Sequence, residues 1–151
     1  MIKRHNNSST LVHMALLERQ LLVKKSCLPG AGKGLFTKKK IEKGERIVEY
    51  KGRITTWKEV SNKDANRYIF YVKRDHVIDA EPYKKAIARF ANDARGLIRI
   101  KGVRNNSSYR RDGLRIFITA EKNIAAGDEI LVDYGKDYWD AIRYNKRIES
   151  K

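Results

Sequence analysis

Gly127-Asp128-Glu129-Ile130-Leu131-Val132-Asp133-Tyr134-Gly135 is the stretch whose reading decides the fold. Gly127-Asp128 punctuates the chain as a turn, and the apolar run from Ile130 to Val132 predicts a short final strand. Beyond it, residues 137–148 have helical spacing at Tyr138 and Ile142. A tyrosine between an aspartate and a glycine thus stands where the last strand gives way to the last helix.

Upstream, the pattern is one of many short strands. Leu21-Leu22-Val23 begins a strand, after a polar lead-in in which Asn6 to Thr10 can cap a short helix from Leu11 to Gln20. Pro29-Gly30-Ala31-Gly32-Lys33-Gly34 is a glycine-rich turn, and Leu35-Phe36-Thr37 resumes extended structure. Arg46 to Tyr50 alternates as a half-buried strand does. Tyr68 to Val72 and His76 to Ala80 are rich in aromatic and β-branched residues around a charged turn and read as a hairpin. Lys84 to Phe90 is a short helical or turn-like approach to Asn92. Leu97 to Val103 and Leu114 to Ala120 are expected to pair as strands on either side of a polar tip, Asn105 to Asp112. With so little helix, the fold class is mainly β, a β-rich α+β domain.

The 151 residues fit one domain, divided here into an extension at 1–20, a core at 21–136 and a closing helix at 137–151. No run approaches the roughly 18 apolar residues of a membrane helix, and no apolar leader is visible, so no membrane partner is expected. A single cysteine, Cys27, excludes an internal disulfide and an all-cysteine zinc site. His5, His13 and His76 match no ligand spacing, so no metal is expected. An intracellular setting, cytoplasmic or associated with nucleoid or chromatin, follows as the expectation. The 34 Lys and Arg against 18 Asp and Glu make a basic protein of net charge +16. Such a field attracts polyanions, which points to electrostatic contact with nucleic acid or to a substrate seated on it; a solubilising surface is the plainer reading. Nothing in the sequence specifies an oligomeric state.

Four segments, in this order and at these intervals, resemble the SET domain, the fold of a family of protein-lysine methyltransferases. They are Gly32-Lys33-Gly34-Leu35-Phe36, followed by Ile41 to Glu45 and Glu49 to Gly52; the strand pair ending in Ile78-Asp79-Ala80; Ala88-Arg89-Phe90-Ala91-Asn92-Asp93; and the Gly127 to Gly135 stretch. The resemblance covers residues 21–139. It implies small curved sheets around a knot-like core, with the Asn92 segment threaded beneath a loop around Tyr134, an arrangement uncommon in proteins. Many relatives carry a cysteine-rich zinc segment after the domain; here no cysteine follows Cys27, and Tyr138-Trp139-Asp140 stands in that place.

The resemblance also implies S-adenosylmethionine as cofactor, becoming S-adenosylhomocysteine, and no metal. Gly32, Lys33 and Gly34 would form the turn against its methionine end. Glycines let backbone approach a ligand, and backbone N–H groups in such turns can hold an anion. Arg89, Phe90, Asn92, Asp93 and Tyr134 complete the expected cofactor set. The Asn92 amide can both donate and accept. The family usually reads Asn-His-Ser where this chain has Asn92-Asp93-Ala94, so Asp93 and Ala94 are departures.

Methyl transfer to an amine is an in-line displacement, so positioning supplies much of the rate. The attacking lysine must be neutral, and its unperturbed pKa is about 10.4, so an apolar channel helps release the proton. Phenols can hydrogen-bond an amine without adding a charge. Tyr134 matches the family's catalytic tyrosine. Tyr50, Tyr68, Val132, Tyr138 and Trp139 are the expected lysine channel. Tyr71, beside Tyr68 on the opposite face of its strand, competes with it, and Tyr138 and Trp139 can equally serve to pack the last helix. Val132 stands where many relatives carry Phe or Tyr, so a roomier pocket that admits di- or trimethylation is expected. The partner is then a lysine-containing protein, and a DNA-associated one would suit the charge. A SET-like module that binds without catalysis, and a basic nucleic-acid-binding protein, are the competing readings.

Overall fold

The computed structural model describes residues 17–61, 68–96 and 98–149. Nine strands form three antiparallel sheets of three strands each among these residues. β1 (Leu21–Lys25), β2 (Lys33–Thr37) and β9 (Glu129–Ile130) form one, with β2 in the middle. β3 (Arg46–Glu49), β7 (Ser107–Asp112) and β8 (Arg115–Ala120) form the second around β8. β4 (Arg53–Thr55), β5 (Ile69–Lys73) and β6 (His76–Asp79) form the third around β6.

The three central strands are the near-continuous apolar runs of the sequence. Gly34 to Thr37, Ile116 to Ile118, and Val77 to Asp79 are all buried. A strand paired on both edges and covered on both faces has no solvent side on which polar residues could alternate. The core joins the sheets through Leu35, Ile41, Ile47, Ile118, Ile130 and Val132, none of which is more than marginally exposed.

The expected hairpin of Tyr68–Val72 with His76–Ala80 is present as β5 and β6, with Phe70 opposite Ile78. The expected strand from Leu97 to Val103 is not. Leu97 lies outside the described residues, and residues 98–103 form a loop with a turn at Lys101-Gly102. The partner of β8 is the segment read as a polar tip: Ser107 pairs with Ala120, and Asp112 with Arg115. The reason is local. Gly113-Leu114, with Gly113 at φ +61°, makes a tight two-residue hairpin that brings the two flanking segments together. The polar outer face of β7 is consistent with an edge strand. Most of the helix expected from Leu11 to Gln20 lies outside the described residues; Leu17 to Arg19 are helical.

Two further helices are described. The short one, Trp57–Val60, is capped by Thr56, whose hydroxyl accepts the Glu59 N–H at 3.3 Å. The C-terminal helix runs Lys136–Glu149 and carries Asp137 in its first turn, favourable against the helix dipole. Just before it, two chain segments are laced together. Val132 donates its N–H to the Asn92 carbonyl at 2.8 Å, Asn92 bridges Leu131 in parallel, and Ser107 bridges Val132. The Asn92 segment and Tyr134 therefore meet, through Ala91 and Asp93, although Asp93 and Tyr134 are 41 positions apart in the chain.

Candidate active site

The Gly32–Gly34 turn leads into β2, and the crossing segment brings Asn92 to it. The Asn92 side chain donates to the Lys33 carbonyl at 2.9 Å and approaches the Glu129 carboxylate at 3.4 Å. Its Oδ1 has no hydrogen-bond partner among the described residues. Glu129 is buried and accepts from Ser26 Oγ at 2.7 Å and from the Cys27 N–H at 2.9 Å. Burial and Glu129 together push the Cys27 thiol up to about 11.

The two glycines of the turn answer different demands. Gly32 has φ +72° and open space around it, so its requirement is conformational. Gly34 has no room: a Cβ there would lie 2.3 Å from Glu129 Oε2. Its bareness admits the Glu129 carboxylate. Lys33 is exposed.

Tyr134 sits where the crossing ends. Its hydroxyl donates to the Ala91 carbonyl, and its N–H donates to Asp93 Oδ2 at 2.9 Å. The ring is stacked against Trp139 at 5.8 Å and 12°, and Tyr138 meets it edge-on at 4.9 Å. Tyr109 lies 6.4 Å from it at 23°, and Tyr109 in turn contacts Phe70 at 4.8 Å and Tyr50 at 6.1 Å. Tyr50, Phe70, Tyr109, Tyr134 and Tyr138 thus form a continuous aromatic cluster drawn from well-separated segments of the chain.

Burial is the main cause that raises the hydroxyls of Tyr50, Tyr109 and Tyr134 well above the usual phenol range. Next comes Asp79 for Tyr50, Tyr134 for Tyr109, and Tyr138 for Tyr134. These phenols stay neutral across the physiological range, as hydrogen-bonding groups.

The expected channel residues divide. Tyr50, buried, belongs to the cluster. Tyr68 packs on Phe90 at 6.4 Å and beneath the Arg89 guanidinium at 4.8 Å. Its competitor Tyr71 points the other way, about half exposed, against Trp57. Val132 is wholly buried in the main core. Trp139 packs, with its indole N–H given to Asp93 at 2.7 Å. Arg89 donates to the carbonyls of Ala80 and Glu81 at 3.2 and 3.1 Å, while its Nε is buried without a partner. Phe90 ends the 3-10 turn Ile87–Phe90, and Asp93 turns its carboxylate inward.

Tyr109, Phe70 and Glu129 were absent from the sequence-derived site. The Asp112-Gly113 dipeptide was the available signal for Tyr109, because the hairpin turn at Gly113-Leu114 makes β7 a strand and aligns Tyr109 with Ile118. No local signal marks Glu129, whose role depends on Gly34 and Ser26, both far upstream in the sequence. A shallow cavity of about 460 Å³ lined by Thr56, Trp57, Lys58, Arg74 and Asp75 shares no residue with this site. Among the described residues, no three His, Cys, Asp or Glu side chains come together as metal ligands, and no helix is long and apolar enough to cross a membrane.

The SET domain family model matches residues 32–135, from the glycine turn to the residue after Tyr134. The chain belongs to the SET-domain family. This SET domain is 30% identical over 115 residues to a histone-lysine N-methyltransferase, H3 lysine-4 specific, of Schizosaccharomyces pombe. It is also 30% identical over 134 residues to the histone-lysine N-methyltransferase EZH2 of Chaetomium thermophilum. The matches cover 67% and 80% of this chain, and 11% and 8% of those proteins, so the SET domain spans about a tenth of their length. Among solved structures, the methyltransferase domain of human PR domain-containing protein 2 shares the fold. Its TM-score is 0.57 at 23% identity, with 78% of both chains covered.

Proposed function

We propose that this chain is a protein-lysine N-methyltransferase that uses S-adenosylmethionine. The observation that carries the reading is one crossing that holds two groups: the Asn92 amide beside the Gly32–Gly34 turn, and the neutral Tyr134 phenol, bonded to Ala91 and Asp93, within an aromatic cluster. S-Adenosylmethionine, when bound, supplies an electrophilic methyl on a sulfonium. The donor set suits its amino-acid end: Asn92 Oδ1 is an open acceptor, and the exposed turn at Gly32 and Lys33 presents backbone groups to a ligand. Phe90 and Asp93 flank the same crossing, and Arg89 stiffens its approach.

The chain's own residues then have separable tasks. Tyr50, Tyr68 and Tyr138, beside Tyr109 and Phe70, form apolar walls that strip water from a lysine side chain and favour its neutral form. Tyr134 orients the amine through its hydroxyl. Because burial holds that phenol protonated, it does not serve as the base, and the lysine proton leaves to solvent. Val132, smaller than Phe or Tyr, leaves room for an amine that already carries methyl groups.

The relatives named above act on histones, and a lysine-rich chromosomal protein suits this chain by the same reasoning. The loop between Ala94 and Asn105 supports contact with nucleic acid. Its ends are tied by the Ala94 N–H to Asn105 Oδ1 bond at 2.8 Å, and Ile100 and Val103 pack inward towards Leu28 and Leu131. Arg95, Arg99, Lys101 and Arg104 are exposed, and no carboxylate occurs between Asp93 and Asp112. Four exposed cations without an ion-pair partner among the described residues suit a phosphate backbone, which would bring enzyme and DNA-bound substrate together within the intracellular compartment.

The test is incubation with labelled S-adenosylmethionine and a mixed protein extract, beside a Tyr134→Phe control. Labelled bands that vanish in the control are the expected result. Absence of label together with absence of cofactor binding in calorimetry would overturn the proposal.

A further inference from the structure

We infer that Asp93 is a positioning residue that fastens the C-terminal helix to Tyr134 and makes that helix a working part of the active site. The inference rests on the methyltransferase reading above for its catalytic consequence, and on geometry for its mechanical one.

The Asp93 carboxylate is buried, 5% exposed, and receives four hydrogen bonds. Oδ1 accepts the Arg95 N–H at 2.8 Å and the Asn105 amide at 2.7 Å. Oδ2 accepts the Tyr134 N–H at 2.9 Å and the Trp139 indole N–H at 2.7 Å. Two donors on each oxygen fill the acceptor capacity of an ionised carboxylate. An amide of the same shape cannot do this, because its NH2 would face two N–H donors. A histidine, which the resembling family usually carries here, offers at most one acceptor nitrogen. Aspartate is therefore matched to this chain's own wiring.

The wiring has one outcome. A single oxygen, Oδ2, ties the backbone of Tyr134 to a side chain in the first turn of the helix. Trp139 is then held on two sides: its ring is stacked on Tyr134, and Gly96 lies against it so closely that a Cβ would fall 2.6 Å from Cη2. Tyr138, the adjacent residue, meets the Tyr134 ring edge-on and is carried into place by the same turn. No disulfide performs this fastening, since Cys27 is the chain's single cysteine. Release of the helix would free one face of Tyr134 and withdraw Tyr138 from the aromatic cluster.

Two variants test the idea in the full chain. Trp139→Phe keeps a ring on Tyr134 and removes the N–H; Asp93→Asn keeps the shape and removes half of the acceptor sites. Loss of a hydrogen bond to a buried charge corresponds to roughly ten-fold. Each variant is expected to speed amide hydrogen exchange in residues 136–149 by about ten-fold. Each is also expected to lower kcat on the labelled extract substrate similarly, and Trp139→Phe, which lies outside the cofactor-binding set, to leave the KM for S-adenosylmethionine within about two-fold. The double variant is expected to be little worse than either single one, since both cut the same link. Unchanged exchange in both single variants, or faster exchange with kcat intact in the folded protein, would overturn the inference. Trp139→Phe alone is decisive if Asp93→Asn fails to fold. A wild-type chain that neither binds cofactor nor transfers label would defeat the functional reading, while the exchange data would still report on the lock.

Discussion

Gly34 and Glu129 occupy space that only a missing Cβ makes available: a Cβ on Gly34 would stand 2.3 Å from the Glu129 carboxylate oxygen and 3.2 Å from Ser26 Cβ. That carboxylate is itself held by Ser26 and Cys27. It cannot withdraw without breaking both bonds.

Gly34→Ala is therefore expected to destabilise the domain by about 1–3 kcal/mol, the range for overpacking a tight site. It is also expected to weaken S-adenosylmethionine binding, since Asn92 reaches both Lys33 and Glu129. Denaturant unfolding and calorimetry check the two effects. Gly32→Ala, at a left-handed φ with open space, should cost less, about 1 kcal/mol.

Removal of one oxygen from Tyr134 separates chemistry from architecture. Tyr134→Phe keeps both ring stacks and loses the bond to the Ala91 carbonyl. Methyl transfer is expected to fall about 100-fold, as for a misplaced reacting group, against a stability loss of about 1 kcal/mol. Single-turnover rates beside thermal unfolding measure both.

Turnover should rise with pH through the mildly alkaline range as the substrate lysine loses its proton, with no Tyr134 titration superimposed. Stability carries the tyrosine signature. Tyr50, Tyr109 and Tyr134 have raised folded-state values, so the native state holds their protons more tightly than the unfolded chain does. Their contribution is complete below about pH 10, the unfolded value, and is lost as pH rises above it. Urea unfolding at about pH 9 and about pH 11 is expected to show the drop, with a further rise in phenolate absorbance at the higher pH as unfolding exposes the three buried phenols.

Val132 sets methyl number in this reading. Mass spectrometry of the wild-type product is expected to show di- or trimethyl-lysine, and Val132→Phe to shift it towards monomethyl at a stability cost of about 1–3 kcal/mol, because the site is wholly enclosed. Monomethyl product alone from the wild type at long times would rule out the roomier pocket.

Charge reversal on the loop tests the nucleic-acid interaction. Arg95→Glu, Arg99→Glu and Arg104→Glu together should weaken DNA binding uniformly across sequences and flatten its salt dependence by about one unit for each phosphate no longer neutralised. Cofactor binding should be unaffected. Fluorescence anisotropy over a salt series measures it.

Local order along the chain was enough for much of this. The turn at Gly127-Asp128, the apolar runs of the central strands, and the β5–β6 hairpin are nearest-neighbour matters of turn chemistry and period, and they are legible from residues alone. So were Asn92, Tyr134 and the glycine turn, because their spacing matches a family. What could not be read locally lay in packing between distant segments. Asp112-Gly113 was a visible hairpin signal, yet the polarity of Ser107 to Asp112 hid an edge strand and Tyr109 with it. Whether Tyr68 or Tyr71 faces the aromatic cluster depended on how the sheet seats on the core. Asp93 looked like a departure from the family, and became intelligible only with Trp139 and Asn105 beside it. Strand period and turn residues act over a few positions, so the sequence carries them directly; the partners of a buried carboxylate or of a bare glycine are chosen by packing, which brings together residues from 12 to 103 positions apart.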